Sequence, residues 1–284
     1  MTAAIIGIGR TPFTTSADVS AAALAAHAIR AAVDDAGIAW EEVDGVVRFD
    51  REALWEYDLP GVMRLPALRY YGAVPDSPGS APALVRLATM AVTLGLARVV
   101  VGYHARAEPR PALPAEVVEV VGIESEPPAT QGGCAFVVAA GPRPGRPAVR
   151  VLASMQWAIP SAARHCDAWR ESRRDRVLHA ATRRLFADAG ITPASVDLAC
   201  VSAQPPGLVV LGLADHGLAG RAGVRVNPHA GGPDAAALDG MDDLLEAVRQ
   251  LRGDAAAPVP DADIALVAGS PLEPTSSVLL AASR

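Results

Sequence analysis

The sequence predicts an α/β protein made of two similar halves, and three observations predict it. Strand-like apolar runs alternate with stretches of helical periodicity. Those apolar runs are continuous rather than alternating, as in strands covered on both faces. A short pattern also occurs twice: residues 36–44 read AGIAWEEVD and residues 189–197 read AGITPASVD. Ala, Gly, Ile, Val and Asp recur at the same spacing, and an Asp (Asp35, Asp188) precedes each copy. The separation is far too long for a solenoid repeat and points to a duplicated half.

Each copy reads as a helix that ends on a glycine suited to a left-handed C-cap, then a short connection, then an apolar strand. Upstream of the first copy, Leu24, Ala28, Ala31 and Ala32 recur at helical spacing, with Ser16 or Asp18 as the expected N-cap. Upstream of the second, Val177, Leu178, Ala181, Leu185 and Phe186 do the same. Buried strands follow at 44–47 and 197–201. Further strands are expected at Ala3–Gly9, Ala97–Tyr103, Cys134–Ala140, Ala148–Gln156, Arg225–Pro228, Ile264–Gly269 and Ser276–Ala282. Helices are expected at Pro82–Leu94 and Ala235–Leu251. The stretches Glu108–Gln131 and Pro142–Pro147 read as surface connections, and the expected halves are residues 1–155 and 156–284.

Composition narrows the function classes. A chain of 284 residues with 51% hydrophobic content can bury a large core. Charged residues make up 20% and the net charge is -6, with no basic stripe, which excludes a nucleic-acid binder. The basic residues between Arg164 and Arg184 are interleaved with Asp167, Glu171 and Asp175, as on a solvated helix face. Cys134, Cys166 and Cys200 are too scattered for a disulfide framework or a zinc site. No apolar run reaches the ~18 residues of a membrane span. A basic leader is not evident, so a soluble cytoplasmic protein is expected.

Several segments carry a family resemblance. Ile6-Gly7-Ile8-Gly9-Arg10-Thr11-Pro12-Phe13 resembles the first strand and turn of thiolases. Thr93-Leu94-Gly95-Leu96-Ala97-Arg98-Val99-Val100-Val101 resembles the thiolase helix that ends in glycine before a central strand. Asn227, Gly231-Gly232 and the run Glu246–Gly253 resemble the segment from an Asn…Gly-Gly loop into a helix ending Gln-Leu-Arg-Gly. Together these span most of the chain. They are similar to the sterol-carrier or lipid-transfer branch of the thiolase superfamily, which includes thiolase-like aldolases of steroid side-chain breakdown. The resemblance implies a thiolase fold, two pseudo-duplicated halves in a layered αβαβα arrangement. It also implies a larger loop region over the active site than the brief segment from Arg106 to Gly133 allows.

The family's catalytic positions, carried over from these anchors, are vacant. The nucleophile position falls on Pro78, between Ser77 and Ser80, either of which suits a helix cap. The loop after the strand at 197–201 offers Ser202 and Gln204 in place of the family's His or Asn. The Gly-His-Pro-x-Gly loop is replaced by Gly231-Gly232-Pro233-Asp234, where Asp234 suits a cap for a helix beginning at Ala235 or a base. His229, on the same loop, is the other candidate base. The final cysteine turn holds Ser270 instead. Cys134 and Cys200 lie in strand-like runs as small buried residues do. Cys166 stands between His165 and Asp167, but adjacent residues do not face one another, so no triad is read there. His104 and Arg106 follow a strand's C-terminal end, where open α/β sheets bind ligands.

Three functions remain open at this point. The first is a non-catalytic or substrate-holding subunit for acyl-thioester chemistry, paired with an active thiolase-like subunit or with an OB-fold, zinc-ribbon protein that binds acyl-CoA, or a homodimer. The second is a cysteine-independent aldolase or acyltransferase, with His229, Asp234 and Ser202 as catalytic candidates and His104, Arg106, Gln204, Ser77 and Ser80 as substrate contacts. The third is a lipid or polyketide carrier. No cofactor is expected; an acyl-CoA or carrier-protein thioester would be substrate.

Overall fold

The computed structural model describes residues 3–14, 19–50, 61, 63, 65, 68–75, 80–107, 131–143, 145–157, 180–202, 207–228, 238–269 and 275–283. The first half runs β1 (Ala3–Arg10), α1 (Ala21–Ala36), β2 (Gly45–Phe49), β3 (Tyr70–Val74), α2 (Ala81–Thr93), β4 (Val99–Arg106) and β5 (Gly132–Ala140). The second runs β6 (Val149–Trp157), helical residues 180–189, β7 (Leu198–Val201), α3 (Gly207–Asp215), β8 (Arg225–Val226), α4 (Met241–Arg252), β9 (Ile264–Ala268) and β10 (Thr275–Ala282).

The strand order is β3-β2-β4-β5-β1-β6-β10-β9-β7-β8. Its two halves mirror each other: β1 corresponds to β6, β2 to β7, β3 to β8, β4 to β9 and β5 to β10. In the sheet they join where Ala4 and Ile5 pair with Arg150 and Val149. The expected boundary at 155/156 therefore falls inside β6, which opens the second series.

The repeated pattern does the same work twice. Gly37 and Gly190 adopt left-handed φ values of 61° and 67°. Beyond them Ile38 donates to the Val33 carbonyl and Ile191 to that of Phe186, closing the same six-residue C-cap. The repeated aspartates then tie strands together. Asp44 accepts from the backbone N–H of Arg98 and Val99 at 2.8 and 2.9 Å, at the start of β4. Asp197 accepts from Asp263 and Ile264, both at 2.9 Å, at the start of β9.

Three buried apolar clusters separate five layers. The central one gathers Leu84, Val85 and Ala88 of α2 with Leu244, Leu245 and Val248 of α4, between strand residues of both halves such as Phe136, Val100, Val267 and Leu280. A second packs α1 against β1, β4 and β5, through Leu24, Ile29, Ile6, Val101 and Val137. A third packs Leu185 and Phe186 against β7, β9 and β10. The layering is helix, sheet, helix, sheet, helix, as the resemblance implies. Gly7 and Gly9 set the first outer layer's spacing: a Cβ at either would overlap the carbonyl oxygen of Ala32 or Ala28 in α1. The small side chains of α1 and these glycines let helix and strand approach closely.

Local expectations are corrected in four places. Ser20, not Ser16 or Asp18, caps α1, its hydroxyl accepting from Ala23 N–H at 3.2 Å. Ser80 precedes α2 but its side chain makes no capping bond. The final central helix starts at Met241 with Gly240 at its N-cap rather than at Ala235, and Asp234 lies outside the described residues. An alanine run has high helix propensity, yet Asp239 and Gly240 take left-handed φ values of 50° and 85° and set the start later. The strand expected over 225–228 stops at Val226.

Candidate functional site

The N-termini of the two central helices meet. Ala81 at the start of α2 donates its N–H to the Asp239 carbonyl at 3.3 Å, just before α4 begins. Leu238 anchors that turn in the central core, fully buried. Left-handed geometry at Asp239, tolerated by Asp because its side chain is short and polar, accompanies the delivery of its carboxylate to the end of β4.

Two β4 side chains wait there. His104 and Arg106 are two apart in the strand and so point to the same face. Both donate to one carboxylate oxygen of Asp239, Nε2 of His104 at 3.1 Å and Nη2 of Arg106 at 2.7 Å. Asp239 is 1% exposed and His104 5% at the side chain, so the ion cluster sits out of water. Burying a carboxylate without such partners is costly. Phe49, at the end of β2, holds the imidazole edge-to-face with centroids 4.6 Å apart. With Nε2–H given to the carboxylate, the basic lone pair of a neutral His104 lies on Nδ1.

More acids follow in the first turn of α4, where the helix dipole favours them. Asp243 accepts a hydrogen bond from the Ser202 hydroxyl, just beyond β7. Asp242 lies 3.8 Å from Arg10 at the end of β1. Glu246 accepts from Gln250 at 2.8 Å. Cys134 pairs with His104 on one side and Arg10 on the other in the sheet register. Burial, reinforced by Asp242, pushes its thiol well above the ordinary value. Burial does the same to Cys200, with Asp243, Glu246 and Asp242 adding to it. Neither thiol is a nucleophile at neutral pH.

Of the residues singled out from the sequence, the structure brings His104 and Arg106 together, and sets Ser202 against the same α4 turn. Ser80 is buried at the start of α2. Ser77, Pro78, His165, Cys166, Asp167, Gln204, His229, Asp234 and Ser270 lie outside the described residues. Asp239 is a site residue that sequence reasoning misses. Its signal is the Asp239-Gly240 dipeptide, a turn marker inside an otherwise helical stretch. Among the described residues no group of His, Cys, Asp and Glu could hold a metal ion, and no helix is long and apolar enough to cross a membrane.

Two central helices between the mirrored halves of one ten-stranded sheet define a thiolase fold. Solved structures agree. The Ltp2-ChsH2(DUF35) aldolase superposes with a TM-score of 0.82 at 22% identity, over 100% of this chain and 98% of that one. A monomeric SCP2-thiolase like protein type 1 from Mycobacterium smegmatis gives 0.69 at 17% identity, over 99% and 77%. The 3-oxoacyl-[acyl-carrier-protein] synthase III from Aquifex aeolicus gives 0.65 at 16% identity, over 98% and 99%. No family model matches. In sequence, the chain is similar over 103 residues, 36% of its length, to a steroid side-chain-cleaving aldolase of Thermomonospora curvata at 38% identity. It is similar over the same length to the 17-hydroxy-3-oxo-4-pregnene-20-carboxyl-CoA lyase of Mycobacterium tuberculosis at 37%. The matched stretch spans only 26% and 27% of those two relatives.

Proposed function

We propose that this protein is a cysteine-independent carbon–carbon lyase that cleaves β-hydroxyacyl thioesters by a retro-aldol reaction. The observation that carries this is the buried His104–Asp239 pair where the central helices meet. A histidine oriented by a carboxylate is a general base, and retro-aldol cleavage requires a base and an oxyanion site but no thiolate. The sequence similarity to two C–C cleaving proteins supports the reading. The second of those names places a hydroxyl on the carbon β to a thioester carbonyl, the arrangement retro-aldol chemistry requires.

In the reaction, Nδ1 of His104 takes the proton of the substrate's β-hydroxyl. The hydroxyl oxygen becomes a ketone as the Cα–Cβ bond breaks, and the bonding pair moves onto the thioester carbonyl as an enolate. The imidazolium then returns its proton to Cα, giving a shortened acyl thioester. Asp239 holds the imidazole in one tautomer through its hydrogen bond to Nε2.

The Ltp2-ChsH2(DUF35) aldolase has, by its name, a DUF35 component. We extend that arrangement to this protein, with a DUF35-type OB-fold partner supplying the remaining acyl-CoA contacts. A second reading, a substrate-holding subunit, is favoured by the absence of a nucleophile at Pro78 and the raised thiols of Cys134 and Cys200. The test is ketone release from a tertiary β-hydroxyacyl-CoA by the protein with its DUF35-type partner. The lyase reading expects His104→Ala to slow cleavage about 10²-fold or more. Undiminished cleavage by His104→Ala would move the chemistry to the partner and establish the substrate-holding reading.

A further inference from the structure

Arg106 does more in this geometry than lend a positive charge to the site. A histidine beside a buried, unshared carboxylate is driven towards its protonated form, because the imidazolium–carboxylate pair attracts strongly in a low dielectric. A protonated His104 has no lone pair and is useless as a base. Here the carboxylate oxygen that faces His104 is already taken by a permanently charged guanidinium, and at the shorter distance, 2.7 against 3.1 Å.

We propose that Arg106 is a positioning residue that keeps His104 neutral, by neutralising the carboxylate oxygen the two side chains share. This rests on the lyase reading for its purpose, but not for its physics.

The surrounding charges leave Asp239 and Arg106 as the deciding pair among the described residues. On β5, Cys134 faces His104 in register as a thiol held protonated by burial. From β1, Arg10 is matched by Asp242. On α4, Asp243 is occupied by the Ser202 hydroxyl, and Glu246 stands between Gln250 and Arg249. On β2, Phe49 presents only an aromatic ring, and the neighbouring Arg48 turns to Tyr71 and to the Phe49 and Asp50 carbonyls. The burial of His104 adds to the same outcome, since it disfavours the imidazolium once the carboxylate is offset.

If Arg106 bound another acid instead of Asp239, His104 would face the full carboxylate charge at hydrogen-bond distance. Two donors on one oxygen divide its charge. Asp239 then keeps its orienting hydrogen bond to Nε2 without holding a proton on Nδ1.

The test is a ¹⁵N-imidazole NMR titration of the whole chain, with the His104 signals assigned by their loss in His104→Gln. Removing the charge with Arg106→Gln is expected to raise the His104 midpoint by about one pH unit or more, a tenfold or greater gain in proton affinity. Arg106→Lys keeps the charge and is expected to leave the midpoint near the wild-type value. Asp239→Asn, which removes the carboxylate and leaves the guanidinium, is expected to lower it. An unchanged midpoint in Arg106→Gln would overturn the proposal. So would an Arg106→Lys midpoint displaced as far as that of Arg106→Gln, because the effect would then be structural. The titration needs no turnover, so it stands or falls apart from the lyase reading. Where cleavage is measurable, the acidic limb of the pH–rate profile should move upwards with the NMR midpoint in Arg106→Gln.

Discussion

The two halves are built alike and finished differently. Each starts its fourth strand on a paired aspartate, Asp44 for β4 and Asp197 for β9, and each ends its outer helix on a left-handed glycine. At the other end of those strands the likeness stops. β4 closes on His104 and Arg106, whereas β9 closes on Ala268 before Gly269. The outer faces differ too: the register that places Ala135 of β5 in the first half places Ser277 of β10 in the second. Ser277 is fully buried and donates to His216 Nε2 at 2.9 Å, while His216 Nδ1–H donates to the Gly212 carbonyl at 2.8 Å. Duplicated backbone devices hold the frame, and the polar residues at its strand ends and outer faces differ between the halves.

The comparison can be broken or sharpened at several points. The largest stability effect belongs to the second half. Burial pushes His216 down to about 4 from its ordinary 6.5, against a small opposing effect of the Gly212 carbonyl. Its folded value is the lower, so the unfolded chain binds the proton first. Stability from this group is complete above pH 6.5 and is lost as pH falls towards 4, by about 3 kcal/mol in the limit. Denaturant titrations across that window should show the loss, and His216→Gln should flatten it.

The next effect belongs to the first half. Gly9→Ala forces a methyl group into the α1 backbone and is expected to cost about 2 kcal/mol, read from the denaturation midpoint. The paired aspartates should then behave as equals. Asp44→Ala and Asp197→Ala each leave two strand-starting N–H groups without their carboxylate and are expected to cost about 1.5 kcal/mol apiece. The ion pairs of Asp44 with Arg69 and Arg98 add little, because both arginines are largely exposed. The smallest effect is at the capping glycines. Gly37→Ala and Gly190→Ala should each cost about 1 kcal/mol. Gly37 should be slightly worse, because its new methyl meets the Arg146 guanidinium while Gly190 faces open space.

What is legible in the sequence is local. A glycine before Ile and an aspartate before a strand act within a few residues, so the repeat alone announces both caps and both halves. The buried strands are equally plain, because continuous Val, Ala and Leu runs have few other uses. β3 is not legible: Tyr70-Tyr71-Gly72-Ala73-Val74 is a half-exposed edge strand containing a glycine, with neither alternation nor a fully apolar run. The site is half legible. His104 and Arg106 can be placed at a strand end by pattern, but their partner is 133 residues further on from Arg106 and reaches them only because the central helices abut. Nothing in the local pattern around Asp239 says which strand end it will meet. Asp234 stands out instead because it sits beside a familiar glycine loop, while the helix it is expected to cap begins seven residues later.

The most direct test of the central claim is single-turnover cleavage of a tertiary β-hydroxyacyl-CoA in D₂O by the complex with the proposed DUF35-type partner, wild type against His104→Ala. The account predicts that the wild-type complex releases ketone and a shortened acyl-CoA carrying one solvent deuteron at its α-carbon, and that His104→Ala does so at least about 10²-fold more slowly. Equal rates and equal labelling in the two complexes would contradict it and place the base outside this chain's His104–Asp239 pair.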